Sequence, residues 1–242
     1  MGEAAALEFQ GRVALVTGVS HAGQVGPAVA RALGEAGARL VIGARDAKAL
    51  AERSAELRQL GIEVEASAGD YTLPPVAQAA VALAEQRFGG LDVVVNLAGG
   101  LTSYGPFQDT SVDQLVRELA NNLVTAYCVS QAALPALRRR AGGAIVNVAS
   151  IAVLLPQPQL AAYTAAKAGV VGLTRALARE LRDDHIRVNA VAPAALHTTT
   201  NVVSMGPKAA LVPLERLVRA VLFLASPVAA AITGHLMPVT HD

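Results

Sequence analysis

The 242-residue sequence is poor in aromatic residues and cysteine, and it contains no tryptophan. Aromatic residues make up only 3% of the chain, which argues against a surface on which single-stranded nucleic acid would stack its bases. The 20 Lys and Arg residues nearly balance the 19 Asp and Glu residues, so the chain lacks the basic excess that binds nucleic acid or an anionic membrane. The one cysteine, Cys128, excludes an intrachain disulfide and is typical of a reducing compartment.

Features of membrane, secreted and metal-binding proteins are also missing. Two uncharged stretches, residues 141–166 and 188–207, contain Pro, Asn and hydroxyl side chains, so neither is expected to span a membrane. Residues 1–12 have an early Glu and no long apolar run, so no signal peptide is expected and the predicted location is cytoplasmic. No two of the scattered histidines have the spacing of metal ligands, and we predict no metal site.

The length and the 53% hydrophobic content suit a single α/β domain over residues 1–242. Strands are predicted at residues 12–17, 39–44, 62–66, 91–97, 143–149, 186–192 and 235–239, and helices at 27–36, 47–60, 74–88, 112–139, 159–182 and 213–225. This alternation predicts a doubly wound, Rossmann-like parallel sheet of about seven strands with helices on both faces. A closed (β/α)₈ barrel is the alternative, but the glycine-rich loop after the first strand and the strand number favour the open sheet.

The glycine-rich stretch Gly18–Gly26 joins the first predicted strand to the first helix. Glycines let the backbone approach a pyrophosphate, and the helix N-terminus supplies N–H groups to it. The residues that follow the second strand meet the adenosine ribose in such folds. Ala44 and Arg45 stand there, and an Arg favours the 2′-phosphate of NADP(H), although NAD(H) is not excluded. Asp46 is interpreted as the N-cap of the next helix.

Tyr163 and Lys167 lie four residues apart in a predicted helix and therefore share one face. A tyrosine has an ordinary pKa of about 10. A nearby cation lowers that pKa toward the range in which a general acid or base works near neutrality. Ser150 follows a predicted strand, at the carboxyl end where open α/β sheets place their chemistry. The alternative is a half-buried helix tyrosine beside a solvated lysine.

Taken together, the motifs resemble a classical short-chain dehydrogenase/reductase over nearly the whole chain. The matching residues are Asn96, Ala98 and Gly99 as N-x-A-G, Asn122 within the long helix, Ser150 thirteen residues before Tyr163, Tyr163 and Lys167 as Y-x-x-x-K, and Arg187–Pro193 followed by Thr198. Several motifs in the family's order are far more specific than any one of them.

The resemblance implies a role for each of four catalytic residues. Tyr163 is expected to be the general acid in carbonyl reduction and the base in alcohol oxidation, and Ser150 to polarise the substrate oxygen. Lys167 is expected to lower the pKa of Tyr163 and to bind the nicotinamide ribose. Asn122 is expected to hold a water that links Lys167 to solvent.

The resemblance also implies a cofactor site and partners. The residues expected to contact NADP(H), or NAD(H) in its place, are Gly18, Ser20, His21, Gly23, Val25, Arg45, Asp70, Tyr71, Asn96, Ala98, Gly99, Tyr163, Lys167, Pro193, Leu196 and Thr198. The expected substrate is a small molecule with a ketone or secondary alcohol group, apolar in character and handled as by a 3-oxoacyl reductase. A homotetramer or homodimer is expected, with no nucleic-acid or membrane partner.

Three departures from the family pattern keep other functions open. The glycine motif is two residues longer than usual, which is similar to the divergent enoyl reductases of fatty-acid synthesis, although the Tyr–Lys spacing favours a carbonyl reductase. Ala194 stands where the family has glycine, and the last strand ends in Val239–Asp242 without the usual D-G-G. An enoyl reductase and a nucleotide-binding regulator without turnover are therefore the alternatives.

The substrate lid, residues 194–212, is shorter than usual in the family. Three consecutive threonines disfavour a helix at its start and the Gly–Pro pair at 206–207 breaks one, so a mobile loop is predicted. We expect an open, weakly selective pocket between this loop and Val153, Leu154 and Leu155. Such aliphatic walls suit an apolar or bulky ketone.

Overall fold

The computed structural model of the chain describes residues 9–206 and 208–241. The strands are β1 (Val13–Thr17), β2 (Arg39–Ala44), β3 (Val64–Ala68), β4 (Val93–Asn96), β5 (Gly143–Val148), β6 (Ile186–Pro193) and β7 (Leu236–Val239). The helices are α1 (Val25–Glu35), α2 (Ala47–Gln59), α3 (Pro74–Phe88), α4 (Val112–Leu119), α5 (Thr125–Arg139), α6 (Ala161–Glu180), α7 (Thr199–Met205) and α8 (Leu214–Ala225). Residues 1–8, which bear on the signal-peptide prediction, lie outside the described residues.

The strands of the described residues form one parallel sheet in the order β3-β2-β1-β4-β5-β6-β7. The predicted Rossmann-like fold is therefore confirmed. The chain changes direction across the sheet between β1 and β4, which are neighbours. Thr17 at the end of β1 lies opposite Gly43 of β2 and Asn96 of β4. The loops that leave these strands therefore start at one edge, where open α/β sheets bind their ligands.

Both faces of the sheet are covered by helices, which explains why β1 is buried along its whole length. Successive side chains of a strand point to opposite faces. Accordingly, Val16 packs in one apolar cluster with Leu33 of α1 and Leu217 of α8, whereas Leu15 packs in a second cluster with Val129 of α5. None of the helices in the described part of the chain is long and apolar enough to cross a membrane.

The long helix predicted at 112–139 is interrupted. Helices α4 and α5 are joined by a turn of π-helix, Ala120–Val124. Within it, the Asn122 side-chain amide donates to the carbonyl of Glu118, at 3.1 Å, and the Thr125 hydroxyl donates to the carbonyl of Asn121, at 3.0 Å. Side chains that bond to backbone carbonyls compete with the regular helical ladder. Single π turns inside α-helices frequently mark functional sites.

The prediction that the lid is a mobile loop is wrong for its middle part, because Thr199–Met205 forms helix α7. Thr198 acts as the N-cap, its hydroxyl accepting the N–H of Asn201 at 3.2 Å. A threonine in that position stabilises a helix, whereas inside a helix it weakens one. Gly206, at a positive φ of 83°, follows the last helical residue. Pro207 lies outside the described residues.

The two ends of the lid are also joined. Leu196 and Val212 form a parallel bridge. The N–H of His197 donates to the carbonyl of Val212 and the N–H of Val212 donates to the carbonyl of Ala195, both at 2.8 Å. The lid is therefore a closed loop that carries a short helix, and its base is fixed beside β6.

Candidate active site

A cleft of about 450 Å³ opens at the carboxyl ends of the first four strands. The predicted cofactor residues that line it are Gly18, Ser20, His21, Arg45, Asp70, Tyr71, Ala98 and Gly99. They come from the loops that follow β1, β2, β3 and β4, so the topology of the sheet brings them together. This is the position at which doubly wound sheets bind a dinucleotide.

The glycine loop in this cleft leaves no room for side chains. Gly18 has a positive φ of 78°, and a Cβ added to it would lie 2.7 Å from the carbonyl carbon of Leu97. A Cβ on Gly26 would collide with the carbonyl oxygen of Gly18. The loop therefore packs backbone against backbone and leads directly into the N-terminus of α1. A backbone cradle at a helix N-terminus fits the pyrophosphate of a nicotinamide dinucleotide.

At the end of β2, Arg45 is exposed and lines the cleft. Asp46 caps α2, because its carboxylate accepts the N–H of Ala49 at 3.0 Å, and the predicted N-cap is confirmed. This bond is the main cause that holds the pKa of Asp46 below its ordinary value. Arg45 and Asp46 both line the cleft, and one oxygen of the Asp46 carboxylate is engaged in the cap.

The other predicted cofactor residues do not line this cleft. The amide of Asn96 donates to the Ser130 hydroxyl at 3.1 Å and to the Asn147 side chain at 2.8 Å, and it lies inside the protein. Asn96 therefore fixes the end of β4 from within. The remaining predicted residues lie beyond the cleft, in the glycine loop, α1, α6, β6 and the lid: Gly23, Val25, Tyr163, Lys167, Pro193, Leu196 and Thr198.

Ser150, Tyr163 and Lys167 meet where β5 ends and α6 begins. Ser150 follows β5 in an extended conformation, its hydroxyl accepts the N–H of Ala152 at 3.2 Å, and the same hydroxyl lies close enough to the Tyr163 phenol to lower its pKa. The Lys167 ammonium lies 5.8 Å from the centre of the Tyr163 ring and donates to the carbonyl of Val148 at 2.7 Å. Lys167 is only 4% exposed, so the alternative of a solvated lysine is wrong.

The electrostatics of this centre differ from the expectation. Burial raises the pKa of Tyr163, the nearby Ser150 hydroxyl opposes that rise, and the charge of Glu118 adds to it. Burial also lowers the pKa of Lys167 to about 8, against an attraction from Glu118 that raises it. The pKa of Tyr163 is therefore raised, mainly by burial, and not lowered as was predicted from the nearby Lys167.

Asn122, the fourth predicted catalytic residue, holds the loop that follows β4. Its side-chain oxygen accepts the N–H of Gly100 at 2.9 Å, and its amide donates to the carbonyl of Gly100 at 3.0 Å. The same amide donates to the Glu118 carboxylate at 2.9 Å. Asn122, in the π turn, therefore links the loop after β4 to α4 through its bonds with Gly100 and Glu118.

Sequence reasoning missed several residues of the site. Arg117 lines the cleft from α4. Glu118 contacts Asn122, and this contact could have been predicted, because residues four apart share one face of a helix. The lengthened glycine loop reaches the lid, where the Gly23 carbonyl accepts the N–H of Thr199 at 3.2 Å. No feature of the sequence indicated that contact. Among the described residues, no group of His, Cys, Asp and Glu side chains could hold a metal ion.

Comparison with known proteins gives a consistent result. Residues 12–207 match the family model described as short chain dehydrogenase. The chain is 32% identical over 243 residues to the 3-oxoacyl-acyl-carrier-protein reductase FabG of Vibrio cholerae, covering 96% of this chain and 97% of that protein. It is 32% identical over 245 residues to a 3alpha-hydroxysteroid dehydrogenase of Mediterraneibacter gnavus, covering 96% of both. The crystal structure of a short chain dehydrogenase from Mycobacterium smegmatis matches with a TM-score of 0.86 and 31% identity, covering 97% of this chain and 93% of that one.

Proposed function

Because the chain belongs to the short chain dehydrogenase family of NAD(P)-dependent oxidoreductases, we propose that it transfers a hydride between NADP(H) and a ketone or secondary alcohol. The observation that carries this proposal is the meeting of Ser150, Tyr163 and Lys167 at the carboxyl edge of the sheet, next to a cleft of about 450 Å³. A hydroxyl at the end of β5, with a phenol and a buried ammonium on one face of α6, forms a proton-transfer centre.

In reduction, Tyr163 is the proposed proton donor. Its phenol, whose pKa burial raises, is protonated at neutral pH and would donate its proton to the oxygen of a substrate carbonyl. The Ser150 hydroxyl, which acts on the pKa of the phenol, is proposed to donate to the same oxygen. When bound, NADP(H) supplies or accepts the hydride. In oxidation the proton returns to the Tyr163 oxygen, and the Lys167 ammonium favours the phenolate that must first form.

NADP(H) is proposed over NAD(H) because of the end of β2. Arg45 lines the cleft, and the carboxylate of Asp46 is bonded to the N–H of Ala49. A ribose 2′-phosphate would gain a charge-assisted bond from Arg45. A 2′-hydroxyl carries no negative charge and would gain no such bond.

An apolar substrate is proposed from the segments that surround the catalytic residues. The exposed large apolar side chains on the loop after β4, on the segment after Ser150 and on the lid are Leu101, Tyr104, Leu154, Leu155, Val203 and Met205. Such walls with few polar groups suit a bulky ketone better than a phosphate or a small carboxylate. One relative is named a 3-oxoacyl reductase and another a hydroxysteroid dehydrogenase. We further propose a cytoplasmic homo-oligomer.

The proposal is tested by NADPH oxidation against bulky ketones and 3-oxoacyl thioesters. Tyr163→Phe removes the transferable proton and keeps the ring, so we expect turnover to fall at least about 10²-fold with cofactor binding retained. Tyr127→Phe, at an exposed tyrosine of α5, is the matched control and should turn over like the unmodified protein. Near-normal turnover of Tyr163→Phe would remove Tyr163 from the mechanism.

The same assay separates the two alternatives. Reduction of an enoyl thioester without reduction of its 3-oxo analogue would make the protein an enoyl reductase. Tight binding of NADPH without turnover on any compound would favour a regulator. The lengthened glycine loop, which first suggested an enoyl reductase, contacts the lid in this chain.

A further inference from the structure

We propose that Glu118 is a positioning residue of the catalytic centre, whose buried carboxylate joins the loop after β4 to the Asn122 amide and supplies a negative charge that acts on Lys167. This inference rests on the proposed oxidoreductase function. Glu118 lies near the end of α4, is 0% exposed and belongs to none of the motifs that identified the site. A buried carboxylate is costly unless its oxygens are bonded or paired with a charge.

Each contact of the Glu118 carboxylate is with a hydrogen-bond donor. One oxygen accepts the N–H groups of Thr102 and Ser103, at 2.6 and 2.7 Å, and the Ser103 hydroxyl at 3.2 Å. The other accepts the side-chain amide of Asn122 at 2.9 Å. An ionised carboxylate is an acceptor only, and these donors match that form. Glu118 therefore fixes residues 102–103, while Asn122 fixes Gly100 in the same loop.

The charge of Glu118 also acts on both proton-transfer groups. It raises the pKa of Lys167 against the larger effect of burial, and it adds to the burial that raises the pKa of Tyr163. The surroundings offer no substitute for it. The neighbouring elements supply no other negative charge among these residues. Arg117, next to Glu118 on α4, is a cation that lines the cleft, and Ser150 at the end of β5 is neutral. The loop of residues 97–103 has no charged side chain. Glu118 is thus the counter-charge that favours the ammonium of Lys167.

The kinetic test compares Glu118→Gln with Ser103→Ala. Glu118→Gln removes the negative charge and replaces one acceptor oxygen by an NH₂ donor. Ser103→Ala removes one hydroxyl hydrogen bond to Glu118 and keeps the charge of Glu118. For Glu118→Gln we expect kcat/KM to fall about 10-fold or more, because the loop and Asn122 are misplaced. Without the negative charge, Tyr163 and Lys167 lose their protons more readily. In a plot of rate against pH, the reduction rate falls at high pH as Tyr163 loses its proton, and the oxidation rate falls at low pH as Tyr163 gains one. Both of these limbs should move to lower pH in Glu118→Gln, by about half a unit or more.

Ser103→Ala should leave both limbs in place. If turnover of Glu118→Gln falls but the pH limbs of the rate stay in place, Glu118 only supports the fold. That result would overturn the proposal. Normal rates with normal limbs would overturn it as well.

A second measurement needs no substrate, so it fails independently of the proposed activity. It is a double-mutant cycle on urea unfolding with Glu118→Gln, Lys167→Met and the pair. If the two charges interact, Glu118→Gln should lower the unfolding midpoint less in the Lys167→Met background than alone, because no buried ammonium is then left unpaired. Should Glu118→Gln alone fail to fold, the pair should restore folding. Additive effects, or a pair no more stable than Glu118→Gln alone, would overturn the proposal.

Discussion

At the scale of single residues, the site depends on a cation that the fold disfavours. Lys167 is held between β5 and α6, bonded to the Val148 carbonyl, and burial lowers its pKa from 10.5 to about 8. The unfolded chain therefore binds this proton more tightly than the folded chain does. Stability is reduced in full below a pH of about 8, and the loss disappears as the pH rises toward 10.5. Loss of stability at a group proposed to be catalytic is common, because active sites often need strained or destabilised groups.

Replacing Lys167 by Met should make the protein more stable and inactive. The lowered pKa corresponds to about 3 kcal/mol, of which the lost hydrogen bond to Val148 offsets about 1 kcal/mol, so we expect a gain of about 2 kcal/mol at neutral pH. Urea unfolding at several pH values measures it, and the gain should shrink between pH 8 and 10.5. Lys48→Met, at an exposed lysine of α2, should show no such gain. A gain that does not depend on pH would contradict this account.

Arg45 is expected to set the choice of cofactor. Arg45→Ala removes the cation that lines the cleft, so the Michaelis constant for NADPH should rise at least about 10-fold and that for NADH should change little. Steady-state kinetics with both cofactors check this. The control is Arg31→Ala, because Arg31 is paired with Glu35 on the surface of α1. Equal changes for the two cofactors, or a preference of the unmodified protein for NADH, would count against the NADP(H) assignment.

The residues of the centre could be predicted from the sequence only where they follow a local rule. Tyr163 and Lys167 share a helix face by their spacing, and Ser150 follows a strand, so all three were found. The partners of Glu118 are backbone N–H groups of a distant loop, which no spacing reveals. The lowered pKa of Lys167 depends on how deeply α6 is buried, and that is a property of the assembled fold.

At the scale of elements, the lengthened glycine loop and the lid form one connected structure. The Gly23 carbonyl accepts the N–H of Thr199, and the Gln24 side chain donates to the Thr200 hydroxyl at 2.9 Å. A Cβ added to Gly23 would collide with the Thr199 hydroxyl. The extra residues of the loop thus reach the first turn of α7 and hold the lid from the cofactor side.

Gly23→Ala should therefore weaken cofactor binding through the lid. Gly23 has a positive φ of 72°, so any side chain there costs about 1–2 kcal/mol from the backbone alone. Gly61→Ala is the matched control, because Gly61 has a φ of 77° and open space around its Cβ position. Both variants should lose similar stability, but only Gly23→Ala should raise the Michaelis constant for NADPH. Identical kinetics of the two variants would show that the contact with Thr199 carries no function.

Most elements could be predicted because their apolar patterns follow a simple period. The helix 74–88 and the strand 39–44 were predicted to the residue, since each is bounded by clear signals such as Pro74 and Gly89. The π turn at 120–124 and helix α7 were not. Both involve side-chain hydrogen bonds that alter a local preference: from the Asn122 amide and the Thr125 hydroxyl in the π turn, and to the Thr198 hydroxyl in α7.

At the scale of the whole molecule, one face of the long helical segment remains apolar and exposed. Val112 and Val116 of α4 are 73% and 55% exposed. Val112 and Val116 lie four residues apart and share a face. We propose that this face is covered by a second copy of the chain, as the family resemblance implies.

Val116→Glu should shift the protein toward monomers, because it places a charge in the middle of the proposed interface. Val228→Glu is the control, since Val228 is similarly exposed at 54% but follows α8. Sedimentation of both variants over a range of concentrations measures the change. An unmodified protein that is monomeric at every concentration would refute the proposed oligomer.

The bond between the glycine loop and the lid has a consequence for the sequence of events in turnover. A loop that receives the cofactor and a lid that covers the substrate cannot rearrange independently when they share hydrogen bonds. The coenzyme should therefore associate first and the ketone second, and release should run in reverse. Product-inhibition patterns would show this directly: NADP⁺ should compete with NADPH, and the alcohol should be noncompetitive toward it. Random addition of the two reactants would mean that the loop and the lid move separately.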